Sequence, residues 1–321
     1  MQGINKKLKL ELLSIGTPPI GAPQSDESVL PSFVERENPF DQYIDIEEVG
    51  WGALSSVYQA KSRSDGTFKA IKVVNAGPFE TIKIRKALKE AQIGHQIDHP
   101  NILQIQQVFY DGTRFFFVMD LVEPLTVSSS LDLSKKSLLQ KKEQIVLFQQ
   151  LVSAVKYLHS KGIFHRDIKV QNCGILLDED GNPHLVVFDF GEACEKSEHY
   201  SDCPGTAIHM APEVLNSSQY SDRSEMWASI SFLVELLTGK PMILHSFSGA
   251  LGSVSTIHVQ LKIDEFREKK EPPIPEVFKT DKSRAGILLL QILRRGLAID
   301  PAERLTFPEL EVLLQELIDL L

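Results

Sequence analysis

The chain has 321 residues, of which 42% are hydrophobic and 24% are charged, and its formal net charge is −9. This composition is typical of a globular protein with a sizeable core, and the acidic balance argues against nucleic acid binding as the main function. No apolar stretch reaches the ~18 residues of a transmembrane helix, so none is predicted. The three cysteines, Cys173, Cys194 and Cys203, have no regular spacing. They exclude a disulfide framework or a zinc site and favour a reducing, intracellular compartment such as the cytoplasm.

Residues 1–42 are predicted to form an N-terminal extension or linker. Five prolines interrupt this part of the chain between serine, glycine and acidic residues, a composition that disfavours helix. The alternative is an ordered segment that packs on the domain behind it.

The pattern changes at Tyr43. Short strand-like runs separated by glycine-containing turns predict strands at residues 44–49, 55–60 and 68–74. A helix is predicted over residues 80–97, where apolar residues recur at helical spacing. Two further apolar runs, 102–109 and 114–121, flank an Asp-Gly turn and predict a hairpin. This part of the chain, up to residue 122, is therefore predicted to be a sheet with one helix.

From residue 123 onwards the pattern is mainly helical. Apolar residues at helical spacing predict helices at residues 144–160, 223–237, 283–297 and 307–320. Together the two parts indicate an α+β fold.

A pair of glycines, Gly50 and Gly52, lies between the first two predicted strands. Glycine lets backbone N–H groups approach phosphate oxygens because no Cβ stands in the way. Taken alone, such a pair more often marks a plain hairpin turn. A strand follows the glycines, so the pattern differs from the dinucleotide-binding fingerprint, in which a helix follows.

Lys72 ends an apolar strand-like run, and Glu90 lies in the middle of the predicted helix. An inward-facing lysine needs a partner, because burial of an unpaired charge is costly. Glu90 could be that partner, and the pair could present an ammonium group to two phosphates. The alternative is an exposed lysine at a sheet edge.

Two further motifs carry acidic side chains. In the segment 165–172, Asp167 could accept a proton from a hydroxyl nucleophile, and Lys169 could neutralise charge on a phosphoryl group. Asn172 offers an amide oxygen suited to Mg²⁺. In the segment 186–191, Asp189 follows an apolar strand and could bridge a metal ion bound to phosphates. Each motif taken singly could instead serve as a cap or a salt bridge.

In combination with Gly205-Thr206 and Ala211-Pro212-Glu213, these motifs are similar, in type and order, to those of the eukaryotic-type Ser/Thr protein kinase family. The resemblance covers about residues 43–318. It implies a two-lobed protein kinase-like fold, with a small antiparallel-sheet lobe and its one helix at residues 43–122. The larger, mainly helical lobe would then occupy residues 123–321.

The resemblance also implies roles for individual residues. Those implied in catalysis are Asp167, Lys169, Lys72 and Glu90, and those implied in holding Mg²⁺ are Asn172 and Asp189. Those implied in binding ATP are Gly50, Gly52, Ser55, Val57, Ala70, Lys72, Met119, Asp120 and Val122. A structural ion pair is implied between Glu213 and Arg304.

The implied function is transfer of the γ-phosphoryl group of ATP to Ser or Thr hydroxyls of protein substrates. The main alternative is a pseudokinase that binds nucleotide or partners without catalysis, and a small-molecule kinase is a third reading. The sequence leaves the oligomeric state and the physiological substrate open.

Four positions depart from the family pattern or bear on regulation. Ser55 replaces the third loop glycine, and Gly94 stands where a large apolar residue is usual, which predicts a loosely held helix. Glu225 replaces an aspartate that normally supports the catalytic loop, which predicts altered loop geometry. Asp202 stands where many relatives carry a phosphorylated threonine, and the hypothesis is that its carboxylate makes activity independent of an upstream kinase.

Overall fold

A computed structural model of the chain describes residues 30–51, 55–77, 79–124, 141–177, 182–198, 205–217, 220–247 and 254–321. The strands are β1 Val34–Glu35, β2 Tyr43–Trp51, β3 Ser55–Ser62, β4 Phe68–Asn75, β5 Ile105–Tyr110, β6 Arg114–Asp120, β7 Glu123–Pro124, β8 Ile163–Phe164, β9 Cys173–Leu177, β10 Pro183–Val187 and β11 Cys194–Glu195. The α-helices are α1 Thr81–Gln96, α2 Lys141–Ser160, α3 Pro212–Ser217, α4 Asp222–Thr238, α5 Thr256–Lys269, α6 Arg284–Gly296 and α7 Phe307–Leu320.

The small lobe is a six-stranded sheet with the strand order β1-β5-β6-β4-β3-β2. Strands β2 to β6 pair antiparallel with one another, and the turns at Gly66 and Gly112 use positive φ angles of 72° and 94°. Helix α1 packs on one face of this sheet through Ala87, Leu88 and Ala91. The strands and the helix predicted for this lobe are confirmed, with small shifts in their ends.

The described part of the predicted N-terminal extension lies against the sheet. Strand β1 pairs with β5 in parallel, and Val34 is opposite Val108. For residues 30–42 the structure therefore shows the ordered alternative, whereas residues 1–29 lie outside the described part.

Helix α1 lies closer to β5 than the sequence suggests. A Cβ added to Gly94 would lie 2.2 Å from the Cδ1 atom of Ile105. The side chain of Ile105 thus fills the space that a large residue at position 94 would otherwise occupy. The helix that was predicted to be loosely held is instead in close contact with the strand beneath it.

The large lobe is built on the apolar faces of α2, α4, α6 and α7. The apolar face of α2 is fully buried and includes Leu147, Leu151, Ala154, Val155 and Leu158. The four predicted helices are confirmed, while α3 and α5 were not predicted. None of the helices within the described ranges is long and apolar enough to cross a bilayer.

The predicted ion pair between Glu213 and Arg304 is confirmed. The Nη1 and Nη2 atoms of Arg304 donate to the two carboxylate oxygens of Glu213 at 2.7 and 2.8 Å. The guanidinium also lies 5.1 Å from the ring centre of Trp227 and is completely buried. Because it is bidentate and buried, this pair fixes the start of α3 against the base of the lobe.

Candidate active site

The loop that carries Asp167 is held from below by Glu225 of α4. Arg166 adopts a φ angle of +66°, and its backbone N–H donates to Oε1 of Glu225 at 2.8 Å. The other carboxylate oxygen of Glu225 lies 2.6 Å from Nε2 of His159, at the end of α2. The longer side chain of Glu225 therefore reaches the backbone of this loop. The loop is supported from α4 although a glutamate replaces the usual aspartate.

The surroundings of Glu225 keep it charged. Burial alone would raise the pKa of its carboxyl group, but the hydrogen bond and the charge of His159, with the N–H of Arg166, lower that pKa below its ordinary value. A buried carboxylate with partners on both oxygens is a stable anchor for a loop that has a left-handed residue.

Both oxygens of Asp167 accept hydrogen bonds. Thr206 Oγ1 donates to Oδ1 at 2.9 Å, and Oδ2 accepts from Nζ of Lys169 at 2.7 Å and from Nδ2 of Asn172 at 2.9 Å. Lys169 also donates to Thr206 at 2.8 Å. The three neighbours fix the orientation of the carboxylate, as a general base requires.

Gly205 allows the segment that precedes α3 to approach the loop that carries Asp167. Its φ angle is +103°, and an added Cβ would lie 2.5 Å from the backbone oxygen of Arg166. Any other residue would be strained and would push the two segments apart. Glycine at this position therefore brings Thr206 into contact with Asp167.

Lys72 of β4 joins the two lobes. Its Nζ atom lies 2.6 Å from Oε1 of Glu90 on α1 and 2.7 Å from Oδ1 of Asp189. Burial acts to lower the pKa of Lys72, but the two carboxylates outweigh burial and raise that pKa, so the ammonium group stays charged. The predicted contact between Lys72 and Glu90 is present.

Asp189 and Asn172 lie side by side at the ends of β10 and the catalytic loop. The backbone N–H of Phe188 donates to the backbone oxygen of Asn172 at 3.0 Å. Burial would raise the pKa of Asp189, but the charge of Lys72 outweighs it and lowers that pKa. Nδ2 of Asn172 donates to the backbone oxygen and to Oδ2 of Asp167, each at 2.9 Å, so the amide nitrogen is the atom that faces Asp167.

This donor set fits Mg²⁺ shared with a nucleotide. Carboxylate and amide oxygens are ligands that Mg²⁺ accepts, and it usually takes few of them from the protein. Within the described ranges, no cluster of three or more His, Cys, Asp or Glu side chains could hold a metal ion by itself. A metal at Asp189 and Asn172 would therefore need phosphate oxygens or water to complete its coordination.

The strands of the small lobe align most residues predicted to bind ATP. Val57 on β3 is opposite Lys72, and Ala70 on β4 is opposite Met119 on β6. The carboxylate of Asp120 accepts hydrogen bonds from Nζ of Lys69 at 2.7 Å and from Nε2 of Gln106 at 2.9 Å. Of the remaining predicted residues, Gly50 on β2 is opposite Val57, Ser55 begins β3, Val122 follows β6, and Gly52 lies outside the described residues.

Two contributors to the site were not assigned roles from the sequence. Thr206 was noted only as part of a motif, and its position after a glycine gave no sign of a contact with Asp167. His159 lies on the face of α2 next to the catalytic loop, and it contacts Glu225, which is far away in the sequence. No local pattern could have indicated that contact.

Comparison with known proteins identifies the family. The family model described as "Protein kinase domain" matches residues 43–315, most of the chain. The chain belongs to the protein kinase family. This agrees with the two lobes, the Lys72 to Glu90 contact and the oriented Asp167.

Curated relatives carry the names of protein kinases, several of them serine/threonine-protein kinases. The chain is 29% identical over 273 residues to Serine/threonine-protein kinase 33 of Mus musculus, covering 82% of this chain and 52% of the relative. It is 31% identical over 275 residues to Serine/threonine-protein kinase ULK3 of Xenopus laevis, covering 84% and 54%. It is 31% identical over 272 residues to CBL-interacting protein kinase 25 of Oryza sativa subsp. japonica, covering 82% and 48%. The chain spans about half the length of these relatives. Protein kinases in general use ATP with Mg²⁺ and act on proteins.

Proposed function

We propose that the chain is a catalytically active protein kinase that transfers the γ-phosphoryl group of ATP to Ser or Thr hydroxyls of protein substrates. ATP, Mg²⁺, protein substrates and an intracellular setting belong to the same proposal. The observation that carries it is that Lys72 contacts Glu90 and Asp189 at the same time, while Asp167 is held on both oxygens. In protein kinases the lysine–glutamate pair and the metal-binding aspartate must both be in place for transfer.

Lys72 and the metal-binding pair would position the nucleotide. The charged ammonium of Lys72, fixed by Glu90, would bind the α- and β-phosphates. Asp189 and Asn172 would hold Mg²⁺, which neutralises phosphate charge when bound. Phosphoryl transfer depends mainly on such positioning and charge stabilisation.

Asp167 would act on the acceptor. The hydroxyl oxygen of the substrate forms a bond to the γ-phosphorus, the bond from that phosphorus to the β,γ-bridging oxygen breaks, and ADP leaves. The hydroxyl proton passes to the Asp167 carboxylate, and Lys169 stabilises the charge on the transferred group. Thr206 and Lys169 keep the carboxylate aimed at the acceptor.

The contact among Lys169, Thr206 and Asp167 favours Ser and Thr as acceptors. Nζ of Lys169 lies 2.8 Å from Oγ1 of Thr206, directly beside the Asp167 carboxylate. They narrow the space next to the base, which suits a short aliphatic hydroxyl better than a tyrosine ring. Two of the relatives, Serine/threonine-protein kinase 33 and Serine/threonine-protein kinase ULK3, carry this acceptor class in their names.

The test is transfer of the γ-phosphate to a degenerate Ser/Thr peptide library and to a tyrosine control library. Wild type is compared with Asp167→Asn, which keeps the shape of the side chain but removes the base. We expect wild type to modify the Ser/Thr library, and we expect the variant to lose about 10²- to 10⁴-fold in rate.

ATP binding is measured on the same samples. Wild type that binds ATP with Mg²⁺ but transfers nothing would overturn the proposal in favour of a pseudokinase. Equal rates for wild type and Asp167→Asn would show that the phosphorylation comes from a contaminating kinase.

A further inference from the structure

Residues 30–42 lie before the range that the protein kinase family model matches, yet they are part of the small lobe. They begin with a turn in which Val34 N–H donates to the oxygen of Pro31 at 3.0 Å. They continue through β1 and end in a 3₁₀ turn, Pro39–Gln42. We call residues 30–42 the N-terminal clasp.

The first half of the clasp packs against α1. Val34 is 7% exposed, and Leu30 and Phe33 pack on the apolar cluster that includes Leu88 of α1. The ring of Phe33 stacks on the imidazole of His95, with 4.7 Å between the ring centres and 9° between the planes. His95 is in the last turn of α1, so the clasp contacts the end of the helix directly.

The second half of the clasp packs against the other face of the same sheet. The ring of Phe40 makes edge contacts with Tyr58 and Phe116, each with 5.4 Å between ring centres. Phe116 points away from α1, because its neighbours Phe115 and Phe117 on β6 face the cluster beneath the helix. The clasp therefore passes around the β5 edge and is anchored on both faces.

The part of α1 that the clasp contacts is the part that positions Glu90. The residues of α1 in that cluster are small or of medium size, namely Ala87, Leu88 and Ala91. Gly94 brings the helix close to Ile105. Phe33 and Val34 add apolar contact from outside the helix, about one and a half turns after Glu90. In the first turn, Ile82 is 75% exposed, whereas Ile84 packs on the same cluster.

We propose that the N-terminal clasp is a positioning segment for catalysis, in which Phe33 and Val34 hold α1 against β5 and so keep Glu90 within reach of Lys72. This inference deepens the proposed function and rests on it. It assigns a role in cis to residues outside the matched family range. Phe33 is its central residue, because it joins the clasp to the end of the helix.

The first test compares Phe33→Ala with Phe79→Ala in the full chain. Phe79 precedes α1 and is 80% exposed. Phe79→Ala is therefore the same chemical change without loss of packing. We expect Phe33→Ala to lower kcat for the peptide library by roughly 5–30-fold and to leave KM for the peptide unchanged, since a packing loss of that kind shifts the position of α1. Phe79→Ala should behave as wild type. An unchanged kcat in Phe33→Ala would overturn the proposal.

The second test asks whether Phe33 acts through Glu90. In a double-variant cycle, Phe33→Ala is introduced into a Glu90→Gln background. If the clasp acts by positioning Glu90, the second change should cause little further loss of kcat. Additive losses would show that Phe33 supports folding in general and would overturn the positioning role.

The third test is independent of catalysis. Hydrogen exchange of the amides of residues 87–96 should become faster in Phe33→Ala, whereas exchange in α4 should not change. If wild type transfers no phosphate, this measurement still decides whether the clasp holds α1. Faster exchange throughout the protein, or an unchanged exchange rate in α1, would contradict the proposal.

Discussion

The two halves of the candidate site are assembled differently. In the large lobe, Asp167 is held by Lys169, Asn172 and Thr206, and the loop beneath it is held by Glu225. All of these residues belong to the same lobe. Folding of that lobe is enough to place the base.

In the small lobe the arrangement depends on one cation. Lys72 comes from β4, Glu90 from α1 and Asp189 from the large lobe, and the ammonium group is the contact that they share. A shift of α1 would break one contact without unfolding either lobe. The difference teaches that the orientation of Asp167 is fixed when the large lobe folds, whereas the contact between Lys72 and Glu90 depends on the position of α1.

The largest effect on stability should come from the buried pair of the large lobe. Arg304→Met leaves the Glu213 carboxylate without its bidentate partner, so we expect the free energy of unfolding to fall by about 3–5 kcal/mol. Urea unfolding measures this. Arg295→Met is the matched control, because the Arg295–Glu309 pair has side chains that are 40% and 46% exposed and should contribute less than about 1 kcal/mol. Equal losses in the two variants would contradict the prediction.

The next effect concerns two buried groups of the large lobe, His209 and Glu235. Nε2 of His209 lies 3.6 Å from Oε2 of Glu235. Burial lowers the pKa of His209 to about 4 and raises the pKa of Glu235 to about 7. Between pH 6.5 and 4 the unfolded chain binds a proton at His209 that the folded chain does not, so stability falls with falling pH. At Glu235 the folded chain binds the extra proton between about pH 7 and 4.5, so stability is lost as pH rises.

In wild type, His209 and Glu235 change the free energy of unfolding in opposite directions as the pH changes. Single variants should separate the two contributions. In Glu235→Gln the free energy of unfolding should fall, relative to wild type, by up to about 3 kcal/mol between pH 7 and pH 4. In His209→Gln it should instead rise over the same interval. Urea unfolding at several pH values measures both. Identical pH profiles for the two variants would refute the opposing shifts.

The third prediction tests the small-lobe half. Glu90→Gln removes one of the two partners of Lys72, and we expect kcat to fall by about 10²-fold because the ammonium is no longer fixed on the phosphates. The melting temperature should change little, because Asp189 remains to pair with Lys72. Glu276→Gln, at an 83% exposed carboxylate, serves as the control. A kcat close to that of wild type would show that the position of α1 matters less than the comparison implies.

The smallest effect is expected at the catalytic loop. Glu225→Asp installs the residue usual in the family but shortens the side chain by one methylene. One carboxylate would then have to reach both Arg166 N–H and His159, which now lie at 2.8 and 2.6 Å. We expect the free energy of unfolding to fall by about 1–2 kcal/mol and kcat to fall with it. Glu268→Asp, at an exposed position of α5, should change neither. Higher activity in Glu225→Asp would contradict this account.

The elements that local patterns describe were predicted well. Glycine turns and alternating apolar residues delimited the strands of the small lobe, and α7 begins and ends where predicted, at Phe307 and Leu320. Helix α5 was missed because Ile257 and Leu261, which are apolar, are exposed at 71% and 64% and obscure the buried face. The order of the motifs predicted which residues meet at the site.

Contacts between distant segments that the family motifs do not include could not be predicted. Strand β1 has two residues, and its pairing with β5 depends on contacts far away in sequence. The space at Gly94 was interpreted as a missing contact, because the sequence did not show that Ile105 would fill it. Asp202, the proposed substitute for a phosphorylated threonine, lies outside the described residues, so that hypothesis stays a prediction.

The pairing of β1 with β5 also bears on solubility. Within the described sheet, β5 has β6 on one side and β1 on the other. A shortened chain beginning at Tyr43 would present the backbone N–H and C=O groups of β5, a strand that contains Val108 and Phe109, to other molecules. Such an uncovered edge is a template for strand addition from a second molecule. A chain shortened to the start of the matched family range is therefore expected to aggregate more readily than one that keeps the clasp.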